Sequence, residues 1–587
     1  MAAPSRIRVA VVALFVGLIA FAVWAGRRPE GGRVDSALPT FGFRLVESAK
    51  ACGIDFVHHA PELDPRLSNV MPHVAGMGAA VSVCDANGDG WPDLYATNSA
   101  FGFPNALFLN KGDGTFREAA AEAGLADVNK EGLGVSMGSI WADYDNDGKE
   151  DCFLYKWGYP QLFHNDGNGK FTDVTEAAGL RLWMNSNGAS WIDYDRDGLV
   201  DLYTTGYFRE DVDLWHLSTT KIMQESFEFA TNGGHNHLFR NLGGGRFEDV
   251  TQRTGCDSTR WTLAVVAADF NGDGWPDLYL ANDYGPEEYF ENRKGEGFAR
   301  REGVGLDESS KSGMAVAVGD FENDGRLGVY VTNISKSGYL FQGDNLRINR
   351  VADQGWFQNI AEGVVADCGW AWGAQFGDLN NDGRADLYVV NGFISASKDR
   401  DYWYGMSKIA SANSRFAEDA QAWPPMEDRS LSGYEPSRVL VNQGRSRFVD
   451  AAASVGADDL LDGRAIAFAD FRRVGALDVV VANQRGPLIL YRNEVDPARA
   501  WIGFELAGTR GNRSAIGAEV TLIAGGSKQK QVVTAGSGFC AQNDLALHFG
   551  LGSSRPERAI VRWPSGEEQE ITDLEPRAIR RIEEPRR

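Results

Sequence analysis

The sequence predicts an all-β fold: a seven-bladed β-propeller, then a small C-terminal β domain, with an N-terminal hydrophobic helix in front. Three observations predict it. One acidic loop pattern recurs at matching places, intact from Asp85, Asp143, Asp193, Asp269 and Asp378, damaged from Asp320 and ruined from Asp470. Each copy lies between runs too short for helices and rich in aromatic and β-branched residues. At 587 residues the chain is too long for one ordinary domain and suits a repeat architecture.

Residues 1–26 form the first unit. Arg6 and Arg8 precede an uninterrupted apolar run, Val9 to Gly26, and Arg27-Arg28 follow it. The run fits a signal peptide with small residues near Ala25, or a transmembrane anchor left uncut. The arginines directly after it favour the anchor. Either reading is extracytoplasmic for the rest of the chain, membrane-anchored or secreted after cleavage. Residues 27–40, with Pro29, Gly31, Gly32 and Pro39, read as a linker.

Residues 41–497 carry the repeat. Each unit begins with a small-residue apolar strand such as Leu263–Ala268, turns through the acidic loop, and continues into a second strand such as Leu278–Asn282. A third strand (Ala106–Asn110, His237–Asn241) and a Gly-rich turn lead to a fourth (Phe171–Thr175, Phe247–Thr251). Four strands in about fifty residues make a propeller blade. The last unit stops at Asn493 without a fourth strand. Leu45–Ile54 aligns without gaps on Phe171–Leu180, so the N-terminal stretch is expected to supply that strand and close the ring. Two long insertions, 207–236 and 392–436, occupy equivalent places and should leave one face together. Residues 498–587 lose the acidic loops and read as a separate β domain.

The loop pattern D-x-[D/N]-x-D-G-x-x-D is a cation cage. Oxygens at alternate positions converge only if the backbone turns sharply, which Gly permits. Side chains at positions 1, 3, 5 and 9, with a carbonyl at position 7, make a Ca2+ shell; the absence of His and Cys disfavours Zn2+, and such cages seldom hold the strict octahedron of Mg2+. The expected ligands are Asp85, Asn87, Asp89 and Asp93; Asp143, Asp145, Asp147 and Asp151; Asp193, Asp195, Asp197 and Asp201; Asp269, Asn271, Asp273 and Asp277; and Asp378, Asn380, Asp382 and Asp386. A sixth, weaker site keeps Asp320, Glu322 and Asp324 but has Gly328 at position 9. In the seventh copy Arg472 and Val474 replace ligands, and no ion is expected. A helix-flanked Ca2+ hand is excluded, because its position-12 Glu is here Ala96 or Leu280 inside a strand.

Composition removes other classes. A net charge of -23 argues against a nucleic-acid partner. The six cysteines are scattered without a C-x-x-C pair, so zinc is not expected, and Cys84 and Cys152 read as small buried hydrophobes. Gly134-Val135-Ser136-Met137-Gly138 matches a nucleophile elbow, but it leads into a strand where the elbow needs a helix. His235 and His237 allow a transition-metal site, with strand entry the plainer reading; His58, His59 and His73 show no partner pattern. Trp370 and Trp372 alternate on an inner strand; one of them lines the channel and stacks on a ligand, or both pack between blades.

The loops and strands resemble FG-GAP/VCBS repeats, the Ca2+-binding propeller repeats of integrin α-subunit heads. The tail resembles the ASPIC/UnbV domain through Gly508–Arg513, Gly536-Ser537-Gly538-Phe539, His548–Gly552 and Trp563-Pro564-Ser565-Gly566. Together they are similar to the cartilage-acidic-protein-like family. The resemblance implies an extracellular, calcium-binding, adhesion-type protein. The expected partner is an extracellular protein or glycan, and the chain is expected to be a monomer that meets the membrane only through its N-terminal segment. No catalytic signature maps onto the chain, so a non-enzyme is the preferred reading. The alternative is a natural-product or carbohydrate-modifying enzyme with its site in the propeller funnel.

Overall fold

The structure, a computed structural model, describes residues 37–307, 310–411 and 414–586. The apolar segment 1–26 and most of the stretch 27–40 lie outside the described residues. Within them, a short helix, Ala37–Phe41, occupies the end of the stretch read as a linker. No described helix is long and apolar enough to cross a membrane.

The architecture is an all-β propeller. Among the described residues, seven sheets share one plan of four antiparallel strands in radial order, innermost first. Sheet 1 starts at Ala80–Cys84, sheet 2 at Gly134–Ala142, sheet 3 at Ala189–Ile192 and sheet 4 at Trp261–Ala268. Sheet 5 starts at Val316–Gly319, sheet 6 at Ala371–Gly377 and sheet 7 at Gly463–Ala469. Successive inner strands lie side by side, and that of sheet 7 returns to that of sheet 1. The inner strands of sheets 1, 2 and 7 are buried along their whole length, which explains their small, continuously apolar residues.

The expected closure is present. Phe43–Glu47 pairs with Ile489–Val495 as the outer strand of sheet 7, in the register Phe43↔Val495 to Glu47↔Tyr491. The chain then turns as it does after other outer strands. Gly53, at φ +86°, matches Gly124 and Gly179, which end four-residue helices at φ +86° and +80°. The two ends of the propeller are thereby joined and its edge strand is paired.

The C-terminal domain has two sheets: Ala500–Ala507 between Leu547–Gly552 and Ile579–Glu583, and Glu519–Ala524 between Ser527–Val532 and Pro556–Arg562, with Glu568–Ile571 outermost. Ile502, Phe504, Val520, Leu522, Phe549 and Val561 are buried in its core. The domain sends a finger, 534–544, into the propeller's central channel. There Ala541–Gln542 pairs in parallel with the sheet 1 inner strand (Val81↔Ala541). Trp191 N donates to Ala535 O at 3.1 Å and Gly538 N to Val316 O at 2.8 Å. Trp141 N donates to Gln542 Oε1 at 2.8 Å, Gln375 Nε2 to Ser537 Oγ at 3.0 Å and Phe468 N to Asn543 Oδ1 at 2.9 Å. The finger therefore bonds to six of the seven inner strands.

The opposite mouth is covered as well. The two insertions start from sheets 3 and 6, across the ring from each other, and meet over the channel. Met223 N donates to Glu418 O at 3.0 Å and Ala420 N to Thr220 O at 2.9 Å. The segment 58–79 ties in beneath them through Leu217 N to Asp64 Oδ2 at 2.9 Å and Asn69 Nδ2 to Trp423 O at 3.1 Å. Both insertions thus leave the same face, as their positions implied.

Candidate metal centre

Each acidic loop joins the first and second strands of a sheet, at the end facing the C-terminal domain. The position-6 glycines take the left-handed backbone the turn requires: Gly90, Gly148, Gly198, Gly274 and Gly383 have φ of +82°, +95°, +89°, +92° and +86°. The position-1 carboxylate then caps the turn. Asp85 Oδ2 accepts from Gly90 N at 2.9 Å, Asp143 from Gly148 N at 2.7 Å, Asp269 from Gly274 N at 2.8 Å and Asp378 from Gly383 N at 2.7 Å. The position-5 aspartates Asp89, Asp147, Asp197, Asp273 and Asp382 each accept from the amide two residues on, at 2.9 to 3.0 Å.

The position-9 aspartates work as fasteners inside their own sheets. Asp93, Asp151, Asp201, Asp277 and Asp386 are buried and each accepts two backbone N–H groups. One comes from position 2 of the loop, at 3.1 Å (Ala86) or 3.2 Å (Tyr144, Tyr194, Phe270, Leu379). The other comes from an asparagine ending the third strand, at 2.7 Å (Asn110, Asn165) or 2.8 Å (Asn241, Asn292, Asn442). A carboxylate has lone pairs beyond these two bonds, so the role leaves room for a cation.

The same asparagines hold the sheets to one another. Asn165 Nδ2 reaches Ala86 O of the preceding sheet at 3.1 Å and Asn241 Nδ2 reaches Tyr144 O at 2.8 Å. Asn292 reaches Tyr194 O at 2.9 Å, Asn349 Phe270 O at 2.8 Å and Asn442 Phe321 O at 2.9 Å. Asn493 reaches Leu379 O at 2.7 Å, and Asn110 closes the circle on Phe471 O at 2.9 Å. The reading of the sequence did not assign these residues a role. Their signal was present, since every third strand carries an Asn at or close to its end.

The carboxylate groups that can hold a metal ion are unevenly equipped. Donor oxygens of Asp143, Asp145 and Asp147, and of Asp193, Asp195 and Asp197, converge to within 4.8 Å in each set. Both Asp193 oxygens are buried without a close hydrogen-bond partner. Burial, with the neighbouring carboxylates, pushes Asp193 up to about 7, Asp143 to about 6 and Asp93 and Asp151 to about 8. Acids so destabilised as anions fit a divalent cation. In the damaged loop, Arg350 Nη2 holds Glu322 at 2.9 Å, while Asp320 Oδ2 accepts from Gly325 N at 2.9 Å and from Lys530 N of the C-terminal domain at 3.0 Å. Asp324 accepts the amide of Arg326 at 3.0 Å.

The C-terminal domain covers several loops. Ser514 Oγ accepts from Asp143 N at 2.9 Å, and Arg562 forms an ion pair with Asp269. Arg499 Nη1 donates to Asn380 O at 2.8 Å and Gly552 N to Asn381 O at 2.8 Å, so the loop from Asp378 is almost closed off. Asp85, Asn87 and Asp89 have only partial cover.

Other sequence candidates fall away from any shared site. His235 and His237 pair separately with Asp257 at 3.0 Å and Asp249 at 2.9 Å. Trp372 faces the channel but is sealed there. Phe539 of the finger lies 5.1 Å from it and the buried Arg464 guanidinium 4.2 Å, and Arg464 itself donates to Gly76 O, Gly392 O and Phe393 O at 2.8 to 2.9 Å. Trp370 is buried against Phe393, ring centroids 4.6 Å apart. Neither tryptophan is open to a ligand. Ser136 lies inside a nine-residue strand, and all six cysteines are free and buried.

Comparison with known proteins assigns both parts. The FG-GAP-like repeat family matches residues 85–154, 143–204, 229–280 and 269–331, and the ASPIC and UnbV family matches residues 508–587. Human cartilage acidic protein 1 is 28% identical over 213 residues, 35% of this chain and 28% of that protein. Its Xenopus tropicalis counterpart is 38% identical over 86 residues, 14% of this chain and 12% of that protein. The matches therefore span well under half the length of these relatives. A solved Agrocybe aegerita lectin that recognises non-reducing terminal N-acetylglucosamine is 18% identical, covers 64% of this chain and 79% of its own, and has a TM-score of 0.37. The chain is thus an FG-GAP-repeat β-propeller protein with a C-terminal ASPIC and UnbV domain, similar to cartilage acidic protein 1.

Proposed function

We propose that this chain is an exported calcium-binding propeller of seven blades that serves as a rigid extracytoplasmic binding or adhesion module for a protein or glycan. The observation that carries the reading is the filling of the channel. The finger 534–544 occupies one end, and Arg464, Phe393 and the joined insertions occupy the other. A funnel site for catalysis therefore has no open floor. Recognition falls to the insertion-bearing face, where Phe103, Phe229, Tyr339, Phe341, Tyr404 and Phe416 are exposed. The sequence's N-terminal apolar run supports export, held to the membrane or released.

Calcium is the metal this reading assigns to the five intact loops, through the twenty Asp and Asn ligands named from the sequence. Asp320, Glu322 and Asp324 form a weaker sixth set. Its role is mechanical: it neutralises clustered carboxylates under the C-terminal domain and keeps the insertion face in shape. The test is a screen of the full chain against arrays of extracellular proteins and glycans, with Ca2+ and with chelator. Binding that needs Ca2+ and is lost on Tyr339→Ala with Phe341→Ala supports the reading; absence of all binding with Ca2+ present overturns it.

A further inference from the structure

One loop differs from its sisters in what stands beside it. The residue before the fastening asparagine ends the third strand next to the acidic loop of its own sheet. Across the seven sheets it is Leu109, His164, Arg240, Glu291, Ile348, Val441 and Arg492. Arg240 shows where this side chain reaches: its Nε donates to Asp195 Oδ2 at 2.7 Å and its Nη2 to Asp197 Oδ2 at 2.9 Å. A side chain here is therefore placed to become part of the cage. Sheet 2 puts an imidazole in that position.

His164 Nδ1 lies 3.4 Å from Asp145 Oδ2 and 3.3 Å from Asp151 Oδ1. The Nδ1 atom is buried, in a side chain 27% exposed, and makes no hydrogen bond to either carboxylate, while Nε2 lies 4.0 Å from Asp166 Oδ1. A nitrogen and two carboxylate oxygens are thus gathered within ion-pair distance without a hydrogen bond between them. Three donors bound to one cation at about 2.1 Å are expected roughly 3.0–3.4 Å apart, in octahedral or tetrahedral arrangement. The side chain is anchored from behind: His164 pairs with Thr172 across the outer ladder, and its Tyr144 neighbour packs edge-on at 6.3 Å.

We infer that the loop Asp143–Asp151, with His164, is a mixed nitrogen and oxygen site that takes a first-row transition dication such as Zn2+ or Mn2+ in preference to Ca2+. This rests on the reading of the acidic loops as cation sites, and for this one loop it replaces Ca2+ as the preferred ion. Calcium takes oxygen donors only, whereas imidazole suits borderline metals. Asp145, Asp151 and His164 are the metal's side-chain ligands, and Asp143 and Asp147 complete the wall. Among the described residues, no other acidic loop has a histidine within its donor set. The five intact copies are therefore not equivalent: four are all-oxygen cages and one is a different kind of site.

The experiment uses the full-length protein, stripped by chelator and dialysed into excess Ca2+. Zn2+ is then titrated, and bound metal is counted by elemental mass spectrometry after desalting. Wild type is expected to retain one Zn2+ per chain against Ca2+, and His164→Ala to weaken Zn2+ at least tenfold while keeping its Ca2+ content. Pulsed electron paramagnetic resonance of Mn2+-loaded wild type should show 14N coupling from imidazole, a readout that needs no variant to fold. Ca2+ uptake without Zn2+ retention, equal Zn2+ affinity in His164→Ala, or Mn2+ without 14N coupling each overturns the inference, leaving His164 as a charged partner of the two aspartates. Failure to bind any dication overturns both the inference and the cation reading of the loops.

Discussion

The loop from Asp269 and the loop from Asp470 have the same backbone and opposite chemistry. In both, a glycine turns the chain, Gly274 at φ +92° and Gly475 at +78°. In both, the first aspartate caps the turn, and the last accepts the amide of the closing asparagine at 2.8 Å (Asn292, Asn493). They part in the middle, where Asn271 and Asp273 become Arg472 and Val474. Arg472 Nη2 then donates to Asp478 Oδ1 and to Asn493 O, each at 2.9 Å. The seventh loop carries its own cation, built into the chain. The end aspartates therefore serve the fold in both loops, and the middle positions are the ones that differ; on the calcium reading proposed above, they decide whether a loop takes a metal. The loop from Asp193 stands between these two, with Arg240 on two of its carboxylates and Asp193 buried without a close hydrogen-bond partner.

The largest expected effect separates the two kinds of loop directly. If intact loops depend on Ca2+, removing it should lower the melting temperature by more than about 10 °C, since a single site at a thousandfold excess over its Kd contributes roughly 4 kcal/mol. Calorimetry with and without chelator checks this, and an unchanged melt of verified metal-free protein breaks the comparison.

The next effect tests the built-in cation. Arg472→Ala leaves buried Asp478 without its guanidinium and should cost roughly 3 kcal/mol, equally with and without Ca2+. Pairing Arg472→Asp with Val474→Asp restores the pattern. That double variant should gain one Ca2+ per chain in a binding titration, and no gain would mean that the middle positions do not decide.

The fastening asparagines should be indifferent to the distinction. Asn442 is fully buried, and its Nδ2 spans Phe321 O at 2.9 Å and Ala385 O at 3.1 Å. Asn442→Ala should cost about 1–3 kcal/mol in either metal state, by denaturant unfolding. A cost that disappears in chelator would show that the metal sets the latch.

Much of this was legible because it is local. The acidic pattern encodes its own turn through Asp and Gly within nine residues, so the loops, the strands beside them and the ruined copy all follow from adjacent residues. The closing strand was legible because Leu45–Ile54 repeats the grammar of Phe171–Leu180. What escaped were contacts between residues far apart in the chain. Nothing near Gly536–Phe539 says that it fills the channel, because its partners Val316 and Trp372 come from other sheets. The choice left open for Trp372, channel lining or packing, was settled by the same kind of distant contact, with Phe539 and Arg464. His164 lies beside a loop that precedes it by a whole strand, and the pattern of the loop alone could not include it.

The smallest effect is a pH trend, and its sign distinguishes the loops from ordinary surface carboxylates. Burial first, and neighbouring carboxylates after it, push Asp93 and Asp151 to about 8 and Asp143 to about 6. In the unfolded chain such groups titrate near 4. Between these values the metal-free folded state holds more protons than the unfolded one. Its stability is therefore fully present below about pH 4 and is lost as the pH rises towards 8. In chelator the melting temperature should fall from pH 6 to pH 8. In excess Ca2+ the cation replaces the protons, and the fall should vanish. Asp478, pushed to about 6 by burial against the pull of Arg472, should show little dependence on Ca2+. Melts at the two pH values, with and without Ca2+, measure both arms. A chelated protein that grows more stable towards pH 8 would mean that its loop carboxylates are already satisfied within the chain.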